Sequence, residues 1–315
     1  MKRNIVLILV LCLSLLATAC GGAPVADTHV PANNAASGST PALVETIPAP
    51  AVAPFQDEGK VLLDNEYITI TLEGEVEDSY YVGYKLLLEN KTSEYVFVNT
   101  SNTSVAGYMI HPTLQNPCVN PGMKARAELQ FYTNREDSMV TSLADLHDVE
   151  GLFEISFNSD GSNHYTGNGE VYPFSIKGRE GDVLAAPKTT GQIIADDDMV
   201  RMTLIGPFED DYSVGCKLLI ENKTDEYIFI NTDNTSVNGF MVYLSMQNAT
   251  ISPGKSAVTK LLAYTSNGDV TSLDDFVNIT GSLCVSTNTD GRSHFHGTGI
   301  TYPFKLDNAS TLSNG

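Results

Sequence analysis

The sequence predicts an all-β protein of two β-sandwiches in tandem, placed behind an export signal and a disordered tether. Three observations predict it. Residues 85–99 (KLLLENKTSEYVFVN) and 217–231 (KLLIENKTDEYIFIN) are nearly the same text at an offset of 132. Period-two alternation of apolar residues runs through both copies, and helical periodicity is nearly absent. Turn signals break each copy into about seven short strands in ~120 residues, which is sandwich spacing.

The match runs ungapped from Val61/Ile193 to about Thr133/Thr265 and resumes at offset 130 from Val140/Val270 to Phe174/Phe304. One folding unit of ordinary domain size has been duplicated. The expected organisation is a signal peptide (1–19), a lipidated cysteine with a Pro/Ala-rich tether (20–55), repeat one (56–178), a linker (179–192), repeat two (193–308) and a tail (309–315).

At the N-terminus, Lys2 and Arg3 precede an apolar run from Ile5 to Leu16 and then Ala17-Thr18-Ala19-Cys20. A run this short falls below the ~20 residues that a membrane-spanning helix needs, and the layout is that of a secretory signal. Leu-Ala-Thr-Ala-Cys followed by Gly-Gly resembles a bacterial lipobox, with Ala17 where leucine is more usual. The resemblance implies that Cys20 becomes the first mature residue and carries the lipid. Ordinary cleavage after Ala19 would instead release a free secreted protein, and the cysteine at that bond favours the lipidated form. The tether contains Pro24, Pro31, Pro41, Pro48, Pro50 and Pro54 among small polar residues, with too little bulky apolar surface to offset ordering entropy. Taken as a flexible coil it reaches ~30–35 Å.

In the first strand of each repeat, Ile68, Ile70 and Leu72 share one face, as do Val200, Met202 and Leu204. The next strand sets Tyr80, Val82, Tyr84, Leu86 and Leu88 on one side, matched by Tyr212, Val214, Cys216, Leu218 and Ile220. Glu-Asn-Lys-Thr (89–92, 221–224) is turn chemistry, because asparagine caps its own backbone and tolerates left-handed dihedrals. A third strand follows at Tyr95–Val98 and Tyr227–Ile230. Asn102-Thr103-Ser104 and Asn234-Thr235-Ser236 then read as a turn into a fourth, at 105–110 and 237–242. Pro121-Gly122 and Pro253-Gly254 turn the chain into strands at about 125–133 and 257–265. Ser142 and Ser272 cap one helical turn, and two strands close each unit. The Glu-Asn-Lys-Thr turn, the Ser-Val-x-Gly step (104–107, 236–239), the Pro-Gly turn and the last strand together resemble the extracellular Ig-like domains appended to lipoproteins of Gram-positive bacteria. That family resemblance implies an Ig-like sandwich on the outer face of the cell membrane and no catalytic residues.

The chain carries formal charge −20, and losing Lys2 and Arg3 with the signal makes it −22. The acidity argues strongly against nucleic acid as a partner, since phosphate neutralisation needs clustered Lys and Arg. Three cysteines remain after Cys12 and Cys20. Cys216 and Cys284 fall on the second and penultimate strands, which antibody domains join by a disulfide. Their pleat parity opposes a bridge: Cys216 points inward with Val214 and Leu218, whereas Cys284 alternates with inward Leu283 and Val285. Cys118, Cys216 and Cys284 therefore read as free thiols.

No nucleophile elbow, zinc-protease helix, phosphate loop or EF-hand spacing occurs, and the reading is of a non-enzyme without a cofactor. Gly-x-Gly at 167–169 and 297–299 precedes a strand rather than a helix, so it reads as a bulge or tight approach. Asp160-Gly161 and Asp290-Gly291 are turn signals. In repeat two, Asp290, His294 and His296 form a candidate divalent-metal site, because the two histidines share one strand face. Repeat one has Thr166 in place of the second histidine. Asp196–Asp198 and Glu209–Asp211 are acidic clusters whose plainer reading is turn carboxylates. Tyr80/Tyr212, Tyr95/Tyr227 and Tyr172/Tyr302 read as core or corner residues. The function expected is a membrane-anchored extracellular binding, adhesion or spacer module whose partner is a protein or cell-envelope ligand. The alternative is a calcium- or zinc-binding surface lipoprotein.

Overall fold

The computed structural model describes residues 55–134, 138–162, 169–179, 184, 186–187, 190–247, 249–268, 270–292 and 299–312. Cys20, the expected lipid-attachment residue, and His294 and His296 of the expected metal site lie outside the described residues. Repeat one contributes β1 (Val61–Asp64), β2 (Ile68–Glu77), β3 (Tyr81–Asn90), β4 (Tyr95–Val105), β5 (Tyr108–Met109), β6 (Thr113–Gln115), β7 (Cys118–Val119), β8 (Lys124–Tyr132), β9 (His147–Asn158) and β10 (Glu170–Gly178). Repeat two contributes β11 (Gln192–Asp196), β12 (Val200–Glu209), β13 (Ser213–Asn222), β14 (Tyr227–Val237), β15 (Phe240–Met241), β16 (Ser245–Met246), β17 (Thr250–Ile251), β18 (Ser256–Tyr264), β19 (Val277–Asn288) and β20 (Ile300–Asn308).

The protein is all-β, and each repeat is a sandwich. In repeat one, one sheet has the order β1-β2-β3-β8-β6 and the other contains β10-β9-β4. With β2 as strand A, these are the A-B-E-D and C-F-G sheets of an Ig-like sandwich, extended at one edge by β1. Repeat two repeats the order with β11-β12-β13-β18-β16 and β20-β19-β14. Alternation builds the interior directly. Ile68, Ile70, Leu72, Leu86 and Leu88 fill the first core, and Met202, Leu204, Leu218 and Ile220 fill the second. Gly83 and Gly215 let β3 and β13 lie close to β8 and β18; a β-carbon there would overlap the carbonyl of Leu129 or Leu261.

The Glu-Asn-Lys-Thr text is held by one buried side chain in each repeat. Asn90 donates through Nδ2 to the carbonyls of Glu94 (2.7 Å), Val119 (3.0 Å) and Asn120 (3.0 Å). Its Oδ1 accepts from the amide and hydroxyl of Thr92, both at 2.8 Å. Asn222 repeats the set with Glu226, Ile251, Ser252 and Thr224. The following lysine reaches across to the β1–β2 or β11–β12 turn, Lys91 to Asp64 and the Asn65 carbonyl, Lys223 to Asp196 and the Asp197 carbonyl. The most repeated sequence in the chain is therefore structural.

Two expectations are corrected. Asn102-Thr103-Ser104 does not turn the chain. It is a bulge inside β4, between the Ser101–Leu152 and Ser104–Glu150 pairs, and Asn102 takes φ 47° to absorb the extra residue. The turn comes later, at Ala106-Gly107, and repeat two does the same at Asn234 and Asn238-Gly239. Tyr80 and Tyr212 are not core residues but lie exposed just before β3 and β13. Asp78 and Asp210 accept backbone N–H bonds there, so the alternation is broken by an Asx turn.

The seam between the repeats as the candidate site

The two sandwiches are joined through backbone. Strand β5 of repeat one lies parallel to β18 of repeat two, in register Tyr108 with Ser256, and the Ser256 amide donates to the Gly107 carbonyl at 2.9 Å. One sheet of ten strands thereby runs through both repeats. Met109 of β5 packs into the core of repeat two. The β4 bulge faces the same way. Asn102 Nδ2 donates to the Gly291 carbonyl at 2.9 Å, and Ser252 Oγ donates to the Asn102 carbonyl at 3.4 Å. Arg292 reaches back to the Gly169 carbonyl.

Beside this seam lies an open cleft of about 460 Å³. Its walls come from β1, β9 and β10 of repeat one and from the Pro-Gly turn of repeat two, and include Lys60, Leu62, Glu150, Phe174, Pro253 and Lys255. Lys255 Nζ bridges to Glu150 Oε2 at 2.5 Å, with the lysine side chain about three-quarters covered. Lys60 Nζ donates to the Ser175 carbonyl at 2.9 Å and lies 3.5 Å from Asp57. Tyr227, also in the cleft wall, has its phenol pushed up by burial and by the nearby Asp290 charge. Walls that mix apolar side chains with a few charged and hydroxyl groups suit non-covalent recognition.

The other sequence candidates have separate places. Asp290 is described, and its Oδ1 accepts the Arg292 amide at 3.0 Å in a turn. Among the described residues no cluster of His, Cys, Asp and Glu has metal-binding geometry. The acidic clusters are engaged in turns. Asp197 Oδ1 accepts the Met199 and Val200 amides while Oδ2 accepts the Tyr302 hydroxyl at 2.7 Å, and Asp210 accepts the Tyr212 and Ser213 amides. Tyr302 is pushed up to about 12 by burial, with the Asp197 bond adding to it. Gly169 and Gly299 are tight approaches, where a β-carbon would crowd the carbonyls of Ile155 and Val285. Cys118, Cys216 and Cys284, the cysteines among the described residues, are free thiols. Cys216 is buried, and Cys284 faces away from the core beside Thr301.

Sequence reasoning missed the seam residues Asn102, Glu150 and Lys255. A signal was present for the last two, because Glu150 stands opposite Thr280 and Lys255 opposite Met123 when the copies are aligned.

No protein-family model matches the chain, and no curated protein does. Among solved structures it is similar to the YadV chaperone, at 12% identity and TM-score 0.23, over 76% of this chain and 99% of that one. It is also similar to the Salmonella enterica SafA pilin in complex with the SafB chaperone, at 11% identity and TM-score 0.20, over 71% of this chain and 89% of that one. TM-scores this low carry nothing about function.

Proposed function

We propose that this chain is an extracellular binding lipoprotein, held to the membrane by acyl chains on Cys20, in which two Ig-like sandwiches form one non-catalytic recognition body. The observation that carries the reading is the composite cleft at the seam. It lies where the repeats meet beside the β5–β18 pairing, and its Glu150–Lys255 bridge uses residues that the duplication did not preserve. The lipobox-like Leu16–Cys20 segment and the proline-rich tether support display away from the lipid surface. The ligand is a protein or a cell-envelope polymer, and the acidic chain disfavours nucleic acid.

Two measurements test it. Fatty-acid labelling of the expressed chain should be lost with Cys20→Ala, along with its membrane fractionation; equal labelling of the variant would refute the anchor. A thermal-shift series with peptidoglycan fragments, teichoic acid fragments and purified envelope proteins tests the cleft. A ligand at one hundred times its dissociation constant should add about 2.7 kcal/mol. That shift should shrink in Lys60→Ala and Lys255→Ala. A shift that both variants retain in full would place the ligand elsewhere.

A further inference from the structure

The repeats meet through two different surfaces of one shared fold. Repeat one offers its β4 bulge and β5, and repeat two offers the start of β18 with the turn before it. A duplicated fold owns each surface twice, and among the described residues one of each is used internally. The unused pair is β15 of repeat two, equivalent to β5, and the start of β8 in repeat one, equivalent to the start of β18.

Exposure follows use. Met109 is 7% exposed beneath the seam, whereas its counterpart Met241 is 73% exposed, beside Phe240 at 73% and Tyr243 at 68%. On the receiving side, Ser252 is buried and Lys255 and Ser256 are half-buried, whereas their counterparts Asn120, Met123 and Lys124 are all exposed. Met123 alone is 61% exposed. Single exposed apolar residues are ordinary on protein surfaces, but three within four positions on one hairpin make a patch.

We infer that β15 of one copy docks on the β8 start of a second copy of this chain, repeating between molecules the contact that β5 makes on β18. The groups needed are in place. Asn234 stands where Asn102 does and also has positive φ, and Gly161 stands where Gly291 accepts the asparagine bond. Gly239 and Lys124 occupy the positions of Gly107 and Ser256, whose carbonyl and amide pair in the seam. The charged Glu150–Lys255 bridge has Thr280 and Met123 as its counterparts, so Met123 joins Phe240 and Met241 in an apolar joint. The two surfaces differ, so the association is head-to-tail and adds copies in line rather than closing as a two-fold dimer. The inference goes beyond the anchor and cleft and does not depend on either.

The test uses the full chain in a non-ionic detergent, with a benzophenone amino acid in place of Phe240, mixed with isotope-labelled copies. Expected are cross-linked peptides that join position 240 of one copy to the segment around Met123 of the other isotope. Their yield should fall by at least about tenfold with Met123→Asp, as for loss of a central apolar contact. Both substituted side chains are exposed, so circular dichroism and melting temperature should match wild type. Cross-links that stay within one copy, join 240 to 240, or survive Met123→Asp at full yield would each overturn the proposal, as would no cross-link at all.

Discussion

Asn102 Nδ2 donates to the carbonyl of Gly291 at 2.9 Å, across 189 positions of sequence and from one repeat to the other. The same asparagine holds the β4 bulge at φ 47°. Its counterpart Asn234 has the strained backbone, at φ 52°, without a seam bond. The pair therefore separates the two roles. Asn102→Ala should cost about 1–2 kcal/mol, from the lost bond and a non-glycine residue left in the αL region. Asn234→Ala should cost less, by about one net hydrogen bond. Urea unfolding of both variants, at a protein concentration that keeps copies apart, checks this; equal losses there would mean that the seam bond contributes nothing.

Asn90 and Asn222 should be among the costliest polar positions in the chain. Alanine at either leaves three backbone carbonyls without the amide that serves them. A loss of about 2–4 kcal/mol is expected, since unsatisfied buried acceptors cost more than a net hydrogen bond. Aspartate should be no better, because it replaces the donor with a charge facing those carbonyls. Chemical denaturation of Asn90→Ala, Asn90→Asp and Asn222→Ala reads the effect.

Thiol reactivity should rank by burial. The Cys216 thiol is fully enclosed, and burial pushes it up to about 12. It should resist alkylation at pH 8 until the protein unfolds, because the thiolate is the reacting form. Cys284, half-exposed on the opposite sheet, should be labelled in the native state. Peptide mapping after iodoacetamide treatment distinguishes the two, and native labelling of Cys216 at the rate of Cys284 would contradict the burial.

Acid should destabilise the fold through its turn carboxylates. The Tyr212 amide holds Asp210 below its ordinary value of 3.8, and the Tyr302 hydroxyl does the same for Asp197. A depressed carboxyl stabilises the fold above its unfolded pKa, and that stability is lost as pH falls through the folded one. Stability should thus be level with respect to these groups above about pH 4 and decline below it. Asp210→Asn keeps an acceptor for the turn and removes one titration, so its acid limb should be shallower. An unchanged limb would mean that Asp210 makes no contribution.

Most of the fold was legible because it is written in local pattern. Alternation at Ile68, Ile70 and Leu72 and at Val214, Cys216 and Leu218 states which face is buried, and those residues line the cores. Parity correctly separated Cys216 from Cys284 for the same reason. Alternation was misleading where a turn interrupted it: Tyr80 and Tyr212 continue the pattern in text, but the Asx turns at Asp78 and Asp210 release them to solvent. Asn102 reads as a turn in the sequence because positive-φ asparagine serves turns and bulges alike, and only the partner strand distinguishes them.

The candidate site was not legible. Its parts, Asn102, Glu150, Lys255 and Gly291, are ordinary residues far apart in sequence, and none belongs to a chemical motif. By itself the sequence determined the duplication, the strand class, the inward faces and the text of each turn, because those depend on neighbours within a few residues. Only the tertiary structure decided that β5 adds to β18, which hairpin stays uncovered, and where the cleft opens. Two copies of one fold can meet through any pair of their surfaces. Selecting one pair depends on contacts between residues more than a hundred positions apart, which no local pattern records.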